Sequence, residues 1–329
     1  MIIIDVLFSP AGGFADNRSR RWLPFAIALF LFPTLVLSQQ LPDRSVFPEK
    51  SFIWNPAMTA PWDYWEGAID YRQQWLGFED APRTALVDFQ YPVLDYNNSI
   101  GGFFMQDNIK PLKTSIFGLT YAYKVKFGRR RPDQLSIGVM GTMSQHFLDA
   151  LEVVVNDQGD EFIPSGEISK FSFNAGLGLF YTSYAKDDFD RNFFYFGLAA
   201  NQLLPSKLVF DEFGGVTGLK RAIHANAIAG MRLIKEDIFI EPSLWVNYSS
   251  VNVINAHLNI KMEKHEAFWA GLTYVTNHTI AIQAGLITTK GFAREGSLRI
   301  GTMGSYNIGS FGQFRGLGYE AYVAYRFEL

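Results

Sequence analysis

The side chains that could do chemistry are few in this chain, and they do not form a group that catalysis requires. Cysteine is absent from all 329 residues, which excludes disulfides, thiolate zinc sites, a cysteine nucleophile and a lipidated N-terminal cysteine. His146 and Ser144 share one face of a predicted strand and are the nearest approach to a base and its nucleophile. Polar residues on a strand face produce such pairs freely, and no oxyanion motif accompanies this one. We predict no catalytic residues, because the other histidines are scattered over different strands and turns: His224, His257, His265 and His278.

Metal, cofactor and nucleic-acid sites are not indicated either. Residues 156–161, Asn-Asp-Gln-Gly-Asp-Glu, are similar to a calcium loop in composition but lack its spacing and its terminal bidentate glutamate. Neither a phosphate loop nor a dinucleotide fingerprint follows a predicted strand, so we expect no metal and no cofactor. The net charge is −3 and no long basic stripe occurs, so nucleic acid is not an expected partner.

Residues 18–38 have the three parts of a secretory signal. Three arginines precede an apolar run that ends at Leu37, and Ser38 offers a small residue for cleavage. We therefore expect residues 1–38 to be an N-terminal extension with a cleaved signal peptide and the mature chain to begin near Gln39. The alternative, an uncleaved membrane anchor, is disfavoured because Pro24 and Pro33 interrupt the run.

From Phe52 to Leu329 the chain repeats runs of about ten residues that are apolar at every second position. A period of two predicts β-strands. After residue 38 no stretch of about 18 or more apolar residues occurs, so a chain in a membrane must close its backbone hydrogen bonds between strands. Aromatic residues make up 16% of the chain, as the lipid-facing band and interfacial girdles of a barrel require. The sequence therefore predicts an all-β fold, a transmembrane antiparallel barrel of the bacterial outer membrane.

The predicted barrel covers residues 65–329 and follows an irregular, proline-rich segment at 39–64. We expect about 14 strands, within a range of about 12 to 16. The apolar face of each strand should contact lipid, and the polar face should line the lumen. The predicted strands are 65–75, 84–91, 99–106, 114–127, 134–147, 169–184, 192–202, 221–234, 238–248, 251–262, 266–276, 278–288, 296–308 and 318–328.

Loop lengths give an independent test of these strands. The long connections 148–168, 203–220 and 309–317 all fall on one side of the predicted barrel, whereas 235–237 and 263–265 fall on the other. Outer-membrane barrels have this asymmetry, with longer loops outside and short periplasmic turns. A soluble sandwich or soluble barrel is the alternative, since alternation also arises when one face packs on a core. The signal peptide and the aromatic content favour the membrane barrel.

Three short motifs occur in order, the first just before the first predicted strand and the others from the end of that strand to the start of the second. Each is weak alone, because Asn-Pro is an ordinary turn opener and an aromatic residue beside an arginine is an ordinary interfacial pair. Together they resemble the signature of the PorP/SprF family of outer-membrane proteins, which is associated with type IX secretion and gliding in Bacteroidota. The motif residues are Asn55, Pro56, Ala57, Tyr71, Arg72, Gln74, Trp75, Pro82, Arg83 and Thr84.

The resemblance implies a protein that is not an enzyme. Such a barrel would dock a secreted protein, such as an adhesin with a type IX C-terminal domain, or assist its export and surface anchoring. Its further partners would be membrane lipid and periplasmic or outer-membrane components of the secretion system. Within the motif, we expect Arg72 to pair inside the barrel or at its periplasmic rim and Trp75 to lie at a membrane interface. Thr59-Ala60 departs from the family pattern.

Two alternatives remain open from the sequence. The first is a channel or porin for small solutes, which would need a continuous polar lumen. The second concerns Arg129, Arg130 and Arg131, which fall in a predicted periplasmic turn. They could contact a periplasmic partner or an anionic head group, or they could be a solvated turn.

Overall fold

The computed structural model describes only part of the chain. The predicted signal peptide, the loop at 156–161, Arg130 and Arg131 lie outside the described residues. Among the described residues, no helix has the length and apolar character needed to cross a membrane. The described ranges are 48–93, 97–129, 132–149, 167–185, 189–204, 207–209, 218–220, 222–249, 253–289, 296–309 and 316–328.

Within these ranges, fourteen antiparallel strands form one closed barrel, which confirms the predicted fold and strand number. Each strand pairs with its neighbours along the chain, and the last strand closes on the first. A short separate hairpin, β8–β9, lies between the seventh and eighth barrel strands. The bounds are β1 Tyr64–Gln73, β2 Arg83–Val93, β3 Asn98–Ile109, β4 Leu112–Phe127, β5 Asp133–Asp149, β6 Glu167–Thr182, β7 Phe193–Asn201, β8 Lys207–Val209, β9 Gly218–Lys220, β10 His224–Lys235, β11 Ile238–Ser249, β12 Val253–Lys264, β13 Phe268–Val275, β14 Thr279–Thr288, β15 Gly296–Asn307 and β16 Leu317–Glu328.

The alternation of side chains follows the two faces of the wall. On β4, Phe117 and Leu119 are 45% and 58% exposed on the outside, whereas Thr120 and Lys124 are buried inside. A strand in a barrel wall must have one face toward lipid and one toward the lumen, and the period of two satisfies both. The predicted orientation of the apolar and polar sets is therefore correct.

Aromatic clusters lie on the outer face near one rim. The ring of Trp65 is within 6 Å of the rings of Phe89, Tyr325 and Phe327. On the far side of the barrel, Tyr181 packs on Phe196 with 5.0 Å between centroids. Tryptophan and tyrosine have an apolar ring with a polar N–H or O–H, and phenylalanine adds apolar surface, so this band fits a membrane–water interface.

The two ends of the barrel differ in their connections. We call the end where β1 starts and β16 finishes the terminal end, and the opposite end the loop end. The long connections 150–166, 202–223 and 308–316 join strands at the loop end. The tight turns 236–237 and 265–267 are at the terminal end, so the predicted sorting of these loops is correct. The hairpin β8–β9 in the long connection was missed, because strands of three residues are too short to show a period.

Residues 48–63 lie inside the barrel, and we call them the plug. The plug makes two 3₁₀ turns, Pro48–Ile53 and Pro56–Met58. Phe52, Trp54 and Met58 are at most 7% exposed. They form one apolar cluster with inward side chains of β2 to β7, β10 and β11. The irregularity of this segment is visible in the sequence, but its position in the lumen is not.

Candidate functional site: the plug and its seat

The turn at Asn55-Pro56-Ala57 fixes the plug to one wall. Asn55 caps the second 3₁₀ turn, and its Oδ1 accepts a hydrogen bond from the Ala57 amide at 3.0 Å. Proline at the next position costs no hydrogen bond, since the first amides of a helical turn have no partner inside it. The Nδ2 of Asn55 donates to the carbonyl of Leu179 on β6 at 3.0 Å. The asparagine side chain therefore shapes the turn and binds it to the wall at once.

Three inward glycines provide the surface on which this turn rests, and we call Gly138, Gly178 and Gly197 the seat. They lie on the neighbouring strands β5, β6 and β7. A Cβ at Gly138 would be 2.2 Å from the amide nitrogen of Ala57, and one at Gly178 would be 2.0 Å from the Oδ1 of Asn55. At Gly197 the nearest atom would be the Nδ2 of Asn55, at 2.8 Å. Only glycine leaves room for the backbone of the plug to approach the wall this closely.

The C-terminal part of the plug is held by polar contacts. The Oγ1 of Thr59 donates to the Pro56 carbonyl at 2.7 Å and shares a hydrogen bond of 2.9 Å with the Oγ1 of Thr120 on β4. The amide of Ala60 donates to Gln90, and Lys124 donates to the carbonyl of Ala60. Ala60 has a φ of 39°, in the left-handed region. This geometry favours glycine, so the departure from the family pattern at Thr59-Ala60 carries local strain.

A buried ion pair holds the N-terminal part of the plug. Lys50 is 2% exposed, and its Nζ lies 2.8 Å from Asp88 on β2 and 3.7 Å from Glu66 on β1. Burial alone would lower the pKa of Lys50, but the two carboxylates outweigh burial and raise that pKa above its ordinary value. The ammonium group therefore stays charged, and its removal would leave buried carboxylates without this cation.

The second group of motif residues lies at the loop end, around Arg72. Arg72 points into the lumen, and its Nε lies 3.9 Å from Glu320 on β16. Thr84 lies opposite Arg72 on β2 and donates to Asp107 at 2.7 Å. Tyr71 faces outward, where its ring is 6.0 Å from that of Tyr319. Arg72 thus lies inside the barrel, near the loop end and not at the terminal end.

The remaining motif residues form the turn between β1 and β2. The predicted first strand ran to residue 75, but β1 ends at Gln73. The amide of Gln74 donates to the Pro82 carbonyl at 3.0 Å, and Trp75 has a φ of 52°, so the chain turns there. Trp75 is 40% exposed, and Arg83, the first residue of β2, is exposed. The motif therefore occupies two places, the plug turn and the loop end around Arg72.

Comparison with known proteins identifies the family. The model of the family "Type IX secretion system membrane protein PorP/SprF" matches residues 36–325. The chain belongs to the PorP/SprF family. Together with the closed barrel, this membership places it in the bacterial outer membrane.

Several solved structures match this PorP/SprF protein at low sequence identity. The CymD monoaromatic hydrocarbon channel has a TM-score of 0.49 and 10% identity, over 85% of this chain and 92% of that one. A FadL homologue of Pseudomonas aeruginosa has a TM-score of 0.49 and 11% identity, over 83% and 92%. The KdgM porin in complex with disordered oligogalacturonate has a TM-score of 0.38 and 8% identity, over 80% and 99%. No curated protein matches the chain.

The lumen of the PorP/SprF barrel also contains a charged network on the wall formed by β12 to β15. Arg299 donates to both carboxylate oxygens of Glu263, at 2.9 and 2.6 Å. Lys261 lies 3.0 Å from the same carboxylate. Nearby, the partly buried Arg232 forms a second pair with the buried Glu241 at 2.5 Å. These groups pair with one another, which offsets part of the desolvation cost of a buried charge.

The side chains considered for chemistry are not arranged as a catalytic pair. The ring of His146 contacts Thr114 at 3.1 Å and Ser172 at 3.5 Å. The Oγ of Ser144 is buried and has no hydrogen-bond partner among the described residues. In the part of the chain that the structure describes, no group of three or more His, Asp or Glu could hold a metal ion. Arg129, from the predicted periplasmic turn, is exposed at the terminal end between β4 and β5.

Proposed function

We propose that this PorP/SprF barrel works without catalysis in type IX secretion, by docking a secreted protein or by assisting its export and surface anchoring. Family membership supports the secretion context. The partner is then a secreted protein with a type IX C-terminal domain, together with components of the secretion system. A barrel fixed in the membrane holds its connecting loops at defined positions, as a protein-docking surface requires.

The observation that carries this proposal is the plug. A permanently open channel for small solutes, the alternative function, needs a continuous polar path through the barrel. Here residues 48–63 stand in the lumen, with Phe52 and Ala57 fully buried against the wall. The plug therefore occupies the interior of the barrel and interrupts a path for solutes. The surfaces left for a partner are the two ends of the barrel.

Affinity purification from the native host tests the docking role. The barrel, tagged in an exposed connection, is cross-linked in living cells, extracted in detergent and analysed by mass spectrometry. We expect proteins that carry a type IX C-terminal domain among the cross-linked products. In a deletion strain, the same proteins should disappear from the cell surface. Unchanged surface levels in the deletion strain, with no such cross-link, would contradict the proposal.

The arginine-rich turn at the terminal end is the proposed contact with periplasmic components. Arg129 is exposed there, and Arg130 and Arg131 follow it in the sequence. Replacing all three with alanine should reduce cross-links to secretion-system components and leave the folded barrel intact. Lys126, exposed at the same end of β4, serves as the control for a general loss of positive charge. Equal cross-linking by the triple variant and the wild type would show that this turn does not contact secretion-system components.

A further inference from the structure

The plug separates cavities that lie toward opposite ends of the barrel. A cavity of about 100 Å³ lies toward the terminal end, between Met58, Pro61 and Trp62 of the plug and the charged wall that includes Glu66 and Arg326. A second cavity of about 30 Å³ lies toward the loop end, where Ile53 and Trp54 face β3 to β7. The same short segment is therefore part of the lining of both.

The lumen around the plug is wide enough to hold water if the plug moves. Small barrels of about eight strands are filled by their own side chains, whereas barrels of about 16 leave an aqueous channel. This barrel has fourteen strands and holds a segment of backbone inside. On the seat, glycines leave no side chain in the space that the turn occupies. If the plug leaves, no side chain of the seat therefore occupies the space that the turn had filled.

We infer that residues 48–63 are a gate, whose displacement joins the two cavities into a water-filled passage for small hydrated ions. This activity goes beyond docking and does not depend on which protein docks. The gate is held closed by contacts that a local change can break, namely the Lys50 ion pair, the seat and the polar contacts of Thr59 and Ala60. The cavity beside Trp62 gives the segment a space into which it can shift.

Reversing the charge of Lys50 should release the plug more directly than breaking any of its other contacts. Lys50 is the cation that the plug places beside Asp88 and Glu66, at 2.8 and 3.7 Å. Glutamate at this position would face two carboxylates in a buried place, where like charges repel strongly. Lys50→Glu should therefore expel the N-terminal part of the plug from its place without changing any residue of the wall.

Single-channel recording in planar bilayers tests the gate. The full-length wild-type barrel should show rare openings in potassium chloride. Lys50→Glu should raise the open probability about a hundredfold or more. A buried charge that loses its opposite partner destabilises the closed state by far more than thermal energy. Lys113→Glu, at an exposed position of β4, is the charge-matched control and should behave as wild type. Adding Asp88→Lys to Lys50→Glu restores an opposite pair and should reduce the openings again.

A reversible disulfide between the plug and the wall tests whether ions pass because the plug moves or because the wall itself is permeable. The Oγ1 atoms of Thr59 and Thr120 are 2.9 Å apart, so cysteines there are placed to form a disulfide. The chain has no cysteine of its own. In the otherwise wild-type barrel, the disulfide between Thr59→Cys and Thr120→Cys should hold the plug on β4 and abolish the rare openings, and reductant should restore them.

A second variant keeps the inference testable if Lys50→Glu does not fold. Gly178→Leu pushes on the plug from the wall, since even a Cβ there would come within 2.0 Å of Asn55. Folding of each variant is checked by circular dichroism in detergent. If either folded variant stays as quiet as the wild type, or if oxidation of the Thr59→Cys/Thr120→Cys barrel leaves its rare openings unchanged, the inference is wrong. A wild-type barrel that conducts continuously would also overturn it.

Discussion

Glycines leave space on two nearly opposite walls of this barrel. A separate segment of backbone fills that space on one wall, and a side chain of the wall itself fills it on the other. On β5 to β7, Gly138, Gly178 and Gly197 receive the backbone of the plug. On β14 and β15, Gly285 and Gly301 receive the indole of Trp269, which is 1% exposed. One wall is thus completed by a separate segment of the chain, and the other by its own side chains.

The difference shows two ways to fill a lumen that is too wide for a simple side-chain core. The side-chain wall is completed by Trp269 together with the Glu263–Arg299 network, which is linked by strong charge-assisted hydrogen bonds. The seat wall holds the plug by close backbone approach and by the hydrogen bonds of Asn55. A segment that is bound by such contacts can leave as a unit, whereas a wall side chain cannot.

The largest expected effect is at the seat. Gly138→Ala places a Cβ within 2.2 Å of the backbone of Pro56 and Ala57, and backbone cannot yield as a flexible side chain can. We expect a loss of about 4 kcal/mol in unfolding free energy, from overpacking and the disturbed hydrogen bonds of the turn. Denaturant titration followed by tryptophan fluorescence measures it. Gly141→Ala, on the outer face of the same strand with no atom within 4 Å, should be close to neutral. Equal effects at both positions would refute the seat.

On the side-chain wall, Arg299→Met should cost about 3 kcal/mol. It leaves the buried carboxylate of Glu263 without its bidentate partner, although Lys261 remains 3.0 Å away. Since the uncompensated charge is the cause, Arg299→Met combined with Glu263→Met should recover part of the loss, although Lys261 then loses this carboxylate. The same titration, run as a double-mutant cycle, gives the coupling. Additive losses would mean that packing, not charge, dominates this wall.

The sequence predicted the walls of the barrel well because a period of two is a local signal. On β4 it placed Phe117 outside and Thr120 inside, and the structure agrees. The predicted first strand extended to Trp75, but β1 ends at Gln73. There the chain enters a left-handed turn that alternation cannot detect.

The plug could not be predicted in this way. A segment without a period carries no information on which surface it will bury against, and residues 48–63 have none. The signal that could have found the seat is the coincidence of Gly138 and Gly178. They are inward positions that pair directly between β5 and β6, but this pairing is known only once the register is known.

Asn55→Ala tests whether the plug is bound by its turn or by apolar packing alone. It removes the bond to the Ala57 amide and the bond to the Leu179 carbonyl. The bond to Ala57 is buried and the bond to Leu179 is partly buried, so we expect a loss of about 2 kcal/mol. Asn55→Asp keeps the cap but loses the donor to Leu179, and it adds a buried charge. It should therefore not restore stability. A neutral Asn55→Ala would indicate that Phe52, Trp54 and Met58 hold the plug without the turn.

The smallest expected effect is that of Gly271→Ala, where the space is filled by a flexible side chain and not by backbone. Gly271 on β13 faces the amide of Gln283, and a Cβ there would lie 2.5 Å from its Nε2. This separation is similar to those at the seat, but the neighbouring group is the end of a flexible side chain, which can rotate away. Alanine also lowers the entropy of the unfolded chain relative to glycine. Gly271→Ala should therefore change the unfolding free energy by less than about 1 kcal/mol, with the sign set by how far Gln283 keeps its hydrogen bond to Asn259. A loss as large as that of Gly138→Ala would mean that both walls are equally rigid, and the distinction between a plug that can leave and a fixed wall would then fail.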